Sequence, residues 1–461
     1  MNADVKPLPY DPDTTRLPSF HGARERFING TDTPRDYLER CIDAIDSMEP
    51  MVCAFVSTHF AHARDAADAA TERYRQGKPL SLIDGMPIGV MDLLDTQDMP
   101  TQSNSPIFAG WESHQDAACV YAMRTHGAAI IGKTSTTEFG LATPPGTRNP
   151  YDYARSPGGA SSGSAAAVGA RMVPAALGSQ TIGSIVQPAG YCANYAFKPS
   201  FGAINRGGGH FPCPSATHIG VHSGTLRDAW ELCWFLSRTA GPDAGHTAIA
   251  GNSQLAEARM PHRLVRMFTP DWEMTPQSAR ESFEELLDRL AQAGVEIVEP
   301  DSNPQTITLE ADFFVAKRMV TDIVAYEMRW PMWTYEDRNE NALSARIKEY
   351  LNRGRAMSVD DYHRALAWRS AFRTRHSATA GFADGFISLS SPGPAPEGPE
   401  TAGEPFCQTP DSALGAPVAG LPLLAVSGLP QGVQLMGFPG SDDRTAAHAR
   451  WICENLLKPT R

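Results

Sequence analysis

No stretch of the 461-residue chain approaches the roughly 20 consecutive apolar residues that a membrane-spanning helix needs, so no membrane partner is expected. The first 20 residues are polar and Pro-rich, without the apolar core of a secretory leader, and a cytoplasmic location is expected. There is no Lys/Arg-rich run, and the net charge is −12, which argues against a nucleic-acid partner. None of the eight cysteines (Cys41, Cys53, Cys119, Cys192, Cys213, Cys233, Cys407, Cys453) forms a CxxC pair. Most sit among apolar neighbours, as buried free thiols do, and a disulfide framework is not expected. The same scatter, without a His/Cys/Asp cluster, carries no metal signature. No metal and no cofactor are expected, and no internal repeat is present.

What the chain does have is apolar content: 42% of its residues are hydrophobic, enough for a large core at the upper size limit of one domain. Residues 33–47 read as a helix capped by Thr33, with Pro34 in the first turn and Leu38, Cys41, Ile42 and Ile45 on one face. Residues 59–76 read as an Ala-rich helix and 86–90 as a short buried strand. Residues 117–126 read as a helix, followed by the strand 128–131. Strand 263–268, helix 276–293 and strand 295–298 form a βαβ unit. Residues 311–380 are mostly helical, 391–411 form a long loop, 421–426 and 432–436 form a hairpin, and 444–457 are helical. This alternation predicts an α/β fold.

Residues 157–170 are dominated by Gly, Ser and Ala. A flexible linker has that composition, but Val168, Met172, Val173 and Leu177 continue directly from the run, as in a close-packed segment. The run Ser156-Pro157-Gly158-Gly159-Ala160-Ser161-Ser162-Gly163-Ser164 and the loop Thr181-Ile182-Gly183-Ser184-Ile185-Val186-Gln187 are similar to the signature of the amidase-signature family. The blocks at 127–140 (GAAIIGKTSTTEFG), 85–92 (GMPIGVMD) and 432–437 (GVQLMG) resemble that family as well. The resemblance implies a central mixed twisted β-sheet covered by helices on both faces. It implies one domain over 1–461: an N-terminal helical part (1–80), a signature core (81–240), a variable helical and βαβ part (241–390) and a C-terminal part closing the sheet (391–461).

The family's mechanism is a Ser–cis-Ser–Lys relay, in which a neutral Lys activates a bridging Ser, which activates the nucleophilic Ser, while backbone N–H groups stabilise the oxyanion. Carried over by position, the nucleophile falls on Ser184. The bridging Ser falls on Ala160 and the Lys on Met91, and neither Ala nor Met can relay a proton. Thr181, Ile182 and Gly183 fall in the oxyanion hole, where Ile182 replaces a Gly, and Gln187 stands where an Arg is common. Ser161 and Ser162 flank the bridge position, and a one-residue shift would put a Ser into it. Lys133 matches a second family lysine and is read as structural.

Expected pocket residues are Ser161, Ser162, Gln180, Gln187, Gln102, Ser103, His210, His218 and His222, with the segment 207–222 (including Cys213), the polar loop 101–105, the loop 390–396 and Gln408 nearby. The aromatics of 313–335 read as core or dimer interface before substrate wall, so a homodimer is one expected assembly. Three functional readings follow. The first is a repurposed enzyme binding a small amide, ester or carboxylate-like metabolite and performing cyclisation, rearrangement or acyl transfer without the Lys–Ser relay. The second is a catalytically dead homologue that serves as a binding protein or as one member of a complex. The third is a conventional amidase with a shifted or engineered triad.

Overall fold

The computed structural model describes residues 5–457 apart from Asp271 and Phe406; the first four residues of the polar N-terminal stretch and Phe406 of the 391–411 loop lie outside the described residues. Thr33 caps the helix Pro34–Val52, its hydroxyl accepting the Asp36 N–H at 3.0 Å, and Leu38, Cys41, Ile42 and Ile45 form its buried stripe. The helix runs past residue 47, through Pro50, to Val52, and ends on Cys53 in the left-handed region. The Gly/Ser/Ala run is no linker. It contains the helix Ser162–Gly169, every residue of which is buried. At Gly163 an added Cβ would lie 2.2 Å from the Ala54 carbonyl oxygen and 2.3 Å from the Ser135 nitrogen. Small side chains are what let this helix lie against the sheet.

The sheet has eleven strands among the described residues: β1 (Phe55–Thr58), β2 (Pro87–Met91), β3 (Ala129–Thr134), β4 (Ala175–Gln180), β5 (Tyr195–Lys198), β6 (His218–Ser223), β7 (Arg263–Arg266), β8 (Glu296–Val298), β9 (Gly385–Leu389), β10 (Val418–Val426) and β11 (Leu429–Met436). Their order is β1-β3-β2-β4-β6-β5-β10-β11-β9-β7-β8. β2 pairs in parallel with both β3 and β4, and β7 with both β8 and β9, whereas β4–β6, β5–β6, β5–β10, β10–β11 and β9–β11 are antiparallel. The sheet is therefore mixed, flanked by helices, as the resemblance implied.

The hairpin β10–β11, expected to close the sheet, lies in its interior instead. β10 is buried at every residue except Ala425, and an unbroken apolar strand of this kind belongs between neighbours rather than at an edge. The outer edge is taken by the βαβ unit, with the helix Gln277–Gln292 between β7 and β8. The helices Pro304–Glu327, Arg329–Arg338, Ala345–Ala356 and Val359–Ala378 build a second core around Leu309, Phe313, Ile323, Ile347, Leu351 and Phe372. Among the described residues no helix is long and apolar enough to cross a membrane.

Candidate active site

Met91 ends β2, and Ser184 stands just past the end of β4. Because these strands are parallel neighbours, with Val90 opposite Leu177, both residues issue from the same end of the sheet. The carboxyl end of parallel strands is where α/β folds place their ligands. A cavity of about 450 Å³ opens there, lined by Ser184, Gly183, Ile182, Ala160, Gln187 and Thr137 on the sheet side. Lys317, Thr321, Arg346 and Tyr350 close it from the helical layer, and 400–405 from the long loop.

The polar groups of this floor are underused by the fold. Among the described residues the Ser184 hydroxyl has no hydrogen bond, and the N–H groups of Ile182, Gly183 and Ser184 donate to no protein atom. The Thr137 hydroxyl and the Gln187 Oε1 are buried without partners. Gln187 is oriented by its Nε2, which donates to the Glu404 carbonyl at 2.8 Å. Thr181 is held to one side, its hydroxyl 2.8 Å from that of Thr217. Gly183 is needed for contact: a Cβ there would sit 2.7 Å from Pro405 Cβ and 2.9 Å from Gln408 Oε1.

Behind the floor lies an apolar cluster of Met91, Leu93 and Ala160, with Phe211 against it. Met91 is fully buried, and its Sδ lies 3.3 Å from Ser179 Oγ and 3.6 Å from Ser161 Oγ. The Gly159–Ala160 peptide bond is cis. Ser161 and Ser162, expected at the pocket, are turned into the scaffold. Ser161 Oγ accepts the Ser179 N–H at 3.3 Å and lies 3.2 Å from the Ser179 carbonyl oxygen, and Ser162 Oγ donates to the Gly158 carbonyl at 2.7 Å. Lys133 is locked into a buried pair with Asp92 at 3.2 Å and donates to Thr101 Oγ1 at 2.7 Å. Burial holds its ammonium below the ordinary lysine value and pushes the Asp92 carboxyl up.

Several expected pocket residues are elsewhere. Gln180 is an anchor: Nε2 donates to Asp411 Oδ1 and Ser412 Oγ at 2.9 and 3.0 Å, and Oε1 accepts the N–H groups of Ile185 and Val186. It shapes the loop that presents Ser184 and has no valence left for a ligand. Gln102 accepts the Gly110 N–H through Oε1, and Ser103 is wholly buried with an unpartnered hydroxyl. His210 pairs with Asp95 at 3.0 Å and lines a separate aromatic pocket with Phe108, Phe139 and Tyr335. His218 and His222 sit inside β6 and are buried. Burial pushes the His222 imidazole down to about 3 and that of His218 well below its ordinary value, so both are neutral. Cys213 lies against Glu327, at 3.3 Å from its carboxylate. Gln408 donates to the Ser390 carbonyl. Of the 313–335 aromatics, Phe313 is core, Tyr335 stacks on Phe139, and Phe314 and Trp330 are exposed.

Sequence reasoning missed Thr137, Lys317, Thr321, Arg346, Tyr350 and the 400–405 segment. Thr137 lies in the block 127–140 and 400–405 in the loop 391–411, but nothing in either marks those residues as cavity lining. Lys317, Thr321, Arg346 and Tyr350 come from distant stretches that form no local motif. It also missed His59, His62 and Asp98, which converge in space.

The profile of the family described as Amidase matches residues 36–445. A glutamyl-tRNA(Gln) amidotransferase subunit of Desulforapulum autotrophicum is 30% identical over 459 aligned residues, 91% of this chain and 93% of that protein. A solved structure described as an amidase superposes with a TM-score of 0.83 at 26% identity, covering 95% of this chain and all of that one. The same type of amidotransferase subunit from Thermotoga maritima gives 0.71 at 23% identity, covering 91% of each chain, which speaks to the fold alone. Two expectations are thereby corrected. Net charge is no ground for excluding nucleic acid, because the full-length relative is named for a tRNA. The expected cyclisation, rearrangement or acyl transfer is overturned by relatives that are named amidases and amidotransferase subunits, which point to C–N bond chemistry of the amidase type. With the family match spanning most of the sequence and a relative aligned over nine-tenths of both chains, the chain belongs to the amidase family.

Proposed function

We propose that this chain cleaves the C–N bond of a small polar carboxamide held against Ser184. One observation carries the reading: the unused polar groups of the cavity floor match an amide. The N–H groups of Ile182, Gly183 and Ser184 suit its carbonyl oxygen, and the unpartnered Gln187 Oε1 suits its N–H. Ser184 Oγ attacks the carbonyl carbon as its hydroxyl proton passes to water, and those N–H donors stabilise the oxyanion. The C–N bond breaks as the nitrogen takes a proton from water, and a second water hydrolyses the acyl-enzyme to release the acid and free Ser184. The rim charges, with Lys317 and Glu404 paired at 2.5 Å, favour a polar substrate.

The proton relay is the depleted part of this machinery. Met91 and Ala160 occupy the positions where the family resemblance puts Lys and the bridging Ser, and the hydroxyls nearest Met91 belong to Ser161 and Ser179. General-base assistance contributes about 10²–10⁴ in rate, so turnover here is slow beside that of a chain with the full relay. The test is ammonia release, and hydroxamate formation with hydroxylamine, over a panel of primary amides, against Ser184→Ala. Release from the native chain no faster than from that variant would sink the reading.

The length of the match to an amidotransferase component favours a second reading, in which the freed nitrogen is passed to an acceptor within an assembly. Pull-down from native extract followed by ammonia assays tests it: a co-purifying protein that suppresses free ammonia while amidating a product supports it.

A further inference from the structure

The helix Phe60–Arg75 and the loop after β2 bring together three ligating side chains that the proposed chemistry does not use. His59 occupies the position just before the helix without capping it, His62 lies in its first turn, and Asp98 sits in the loop. His62 Nδ1 is 3.0 Å from Asp98 Oδ2, and His59 Nδ1 is 3.6 Å from the same oxygen. The two imidazoles lie over one another, ring centres 3.7 Å apart, and the three ligand atoms fall within 4.8 Å of one another. A tetrahedral ion with bonds of about 2.0–2.1 Å holds neighbouring donors about 3.3 Å apart, and the two measured separations bracket that value. His59 Nδ1 is buried and has no hydrogen-bond partner among the described residues.

The surroundings suit a cation. Arg124 donates to both oxygens of Asp98, at 3.1 and 2.9 Å, and also to Asp116 at 2.8 Å. One guanidinium thus faces two carboxylates, and the cluster keeps a negative excess. The same bonds fix the Asp98 carboxylate in place, as outer-shell partners of metal ligands do.

We propose that His59, His62 and Asp98 bind one divalent ion of the zinc class through two imidazole Nδ1 atoms and one carboxylate oxygen, with water completing the shell. His62 then carries its ring proton on Nε2. Bound there, the ion ties the helix Phe60–Arg75 to the loop that runs from Met91 to Thr101, whose Thr101 hydroxyl holds Lys133. It acts as a staple and takes no part in chemistry at Ser184, because none of its ligands lines that cavity.

The test uses the full chain, stripped with a chelator and titrated with Co²⁺ and then Zn²⁺. One Co²⁺ per chain with the visible spectrum of nitrogen and oxygen ligation is expected, displaced by Zn²⁺, with a Zn²⁺-dependent rise in melting temperature. His62→Ala, at an exposed position, should weaken binding by about tenfold or more and remove the thermal shift; His62→Gln serves if the first variant folds poorly. Three results would overturn the site: no Co²⁺ uptake by the native chain, equal affinity in native and variant chains, or a thiolate charge-transfer band placing the ion on cysteine.

Discussion

Rebuilding the relay is the most demanding test of how this site is read. The double variant Met91→Lys/Ala160→Ser puts an amine and a hydroxyl at two adjoining buried positions. Lys extends one heavy atom beyond the Met side chain, into a space where Met91 already touches the hydroxyls of Ser179 and Ser161 at 3.3 and 3.6 Å. The position is fully buried, so the amine would be held near neutrality, as a base requires. Depressing a lysine from about 10.4 to about 7 corresponds to about 5 kcal/mol of lost stability at pH 7 and below. Hydrogen bonds with the two existing hydroxyls return about 1 kcal/mol each. The double variant should therefore melt several degrees lower yet stay folded. Its kcat/KM for a small amide should rise about 10²–10⁴-fold, equivalent to about 3–5.5 kcal/mol of barrier. Each single variant should gain far less, because relay members act as a unit, and Ser184→Ala should abolish the gain. The assay is ammonia release under pseudo-first-order conditions, alongside circular dichroism and thermal melts. A folded double variant with no gain over the native chain would refute the reasoning, as would a native chain already turning over above about 10⁴ M⁻¹s⁻¹.

Gly183→Ala should remove activity and lower stability by about 1–3 kcal/mol, since its Cβ would meet Pro405 Cβ at 2.7 Å; urea denaturation checks the second and ammonia release the first. His376→Phe should stabilise the chain by about 1–2 kcal/mol, measured by the same melts, because both ring nitrogens of His376 are buried without partners between Phe386 and Phe438. Burial pushes His222 and His376 down to about 3. Unfolded imidazoles titrate near 6.5, so between those values the unfolded chain binds more protons and stability falls as pH falls. Each imidazole contributes a slope of up to about 1.4 kcal/mol per pH unit, its stability present in full above pH 6.5 and lost toward 3. Urea midpoints from pH 7 to 5 should fall, and His376→Phe should flatten the decline; an unchanged slope in that variant would count against it.

Local pattern was enough for much of this protein. The helix at Thr33, the strands around 87–91 and 129–134 and the βαβ unit from 263 are specified by short-range rules: a cap, an apolar run, a 3.6-residue period. That Ser184 takes the nucleophile's position and that Met91 and Ala160 depart from the family's residues are readings of the resemblance alone, and they belong with the proposed function. β6 was illegible, since its buried run carries His218 and His222, which read as pocket groups until burial in a central strand is known. Gln180 likewise reads as a ligand-binding amide, and only the approach of Asp411, 231 residues further on, turns it into an anchor. The central place of β10–β11, the wall of Lys317, Arg346 and Tyr350, and the meeting of His62 with Asp98 were decided by tertiary structure. Periodicity and capping act over a few residues, whereas strand order and site closure depend on which distant surfaces exclude water together, and no local pattern encodes that.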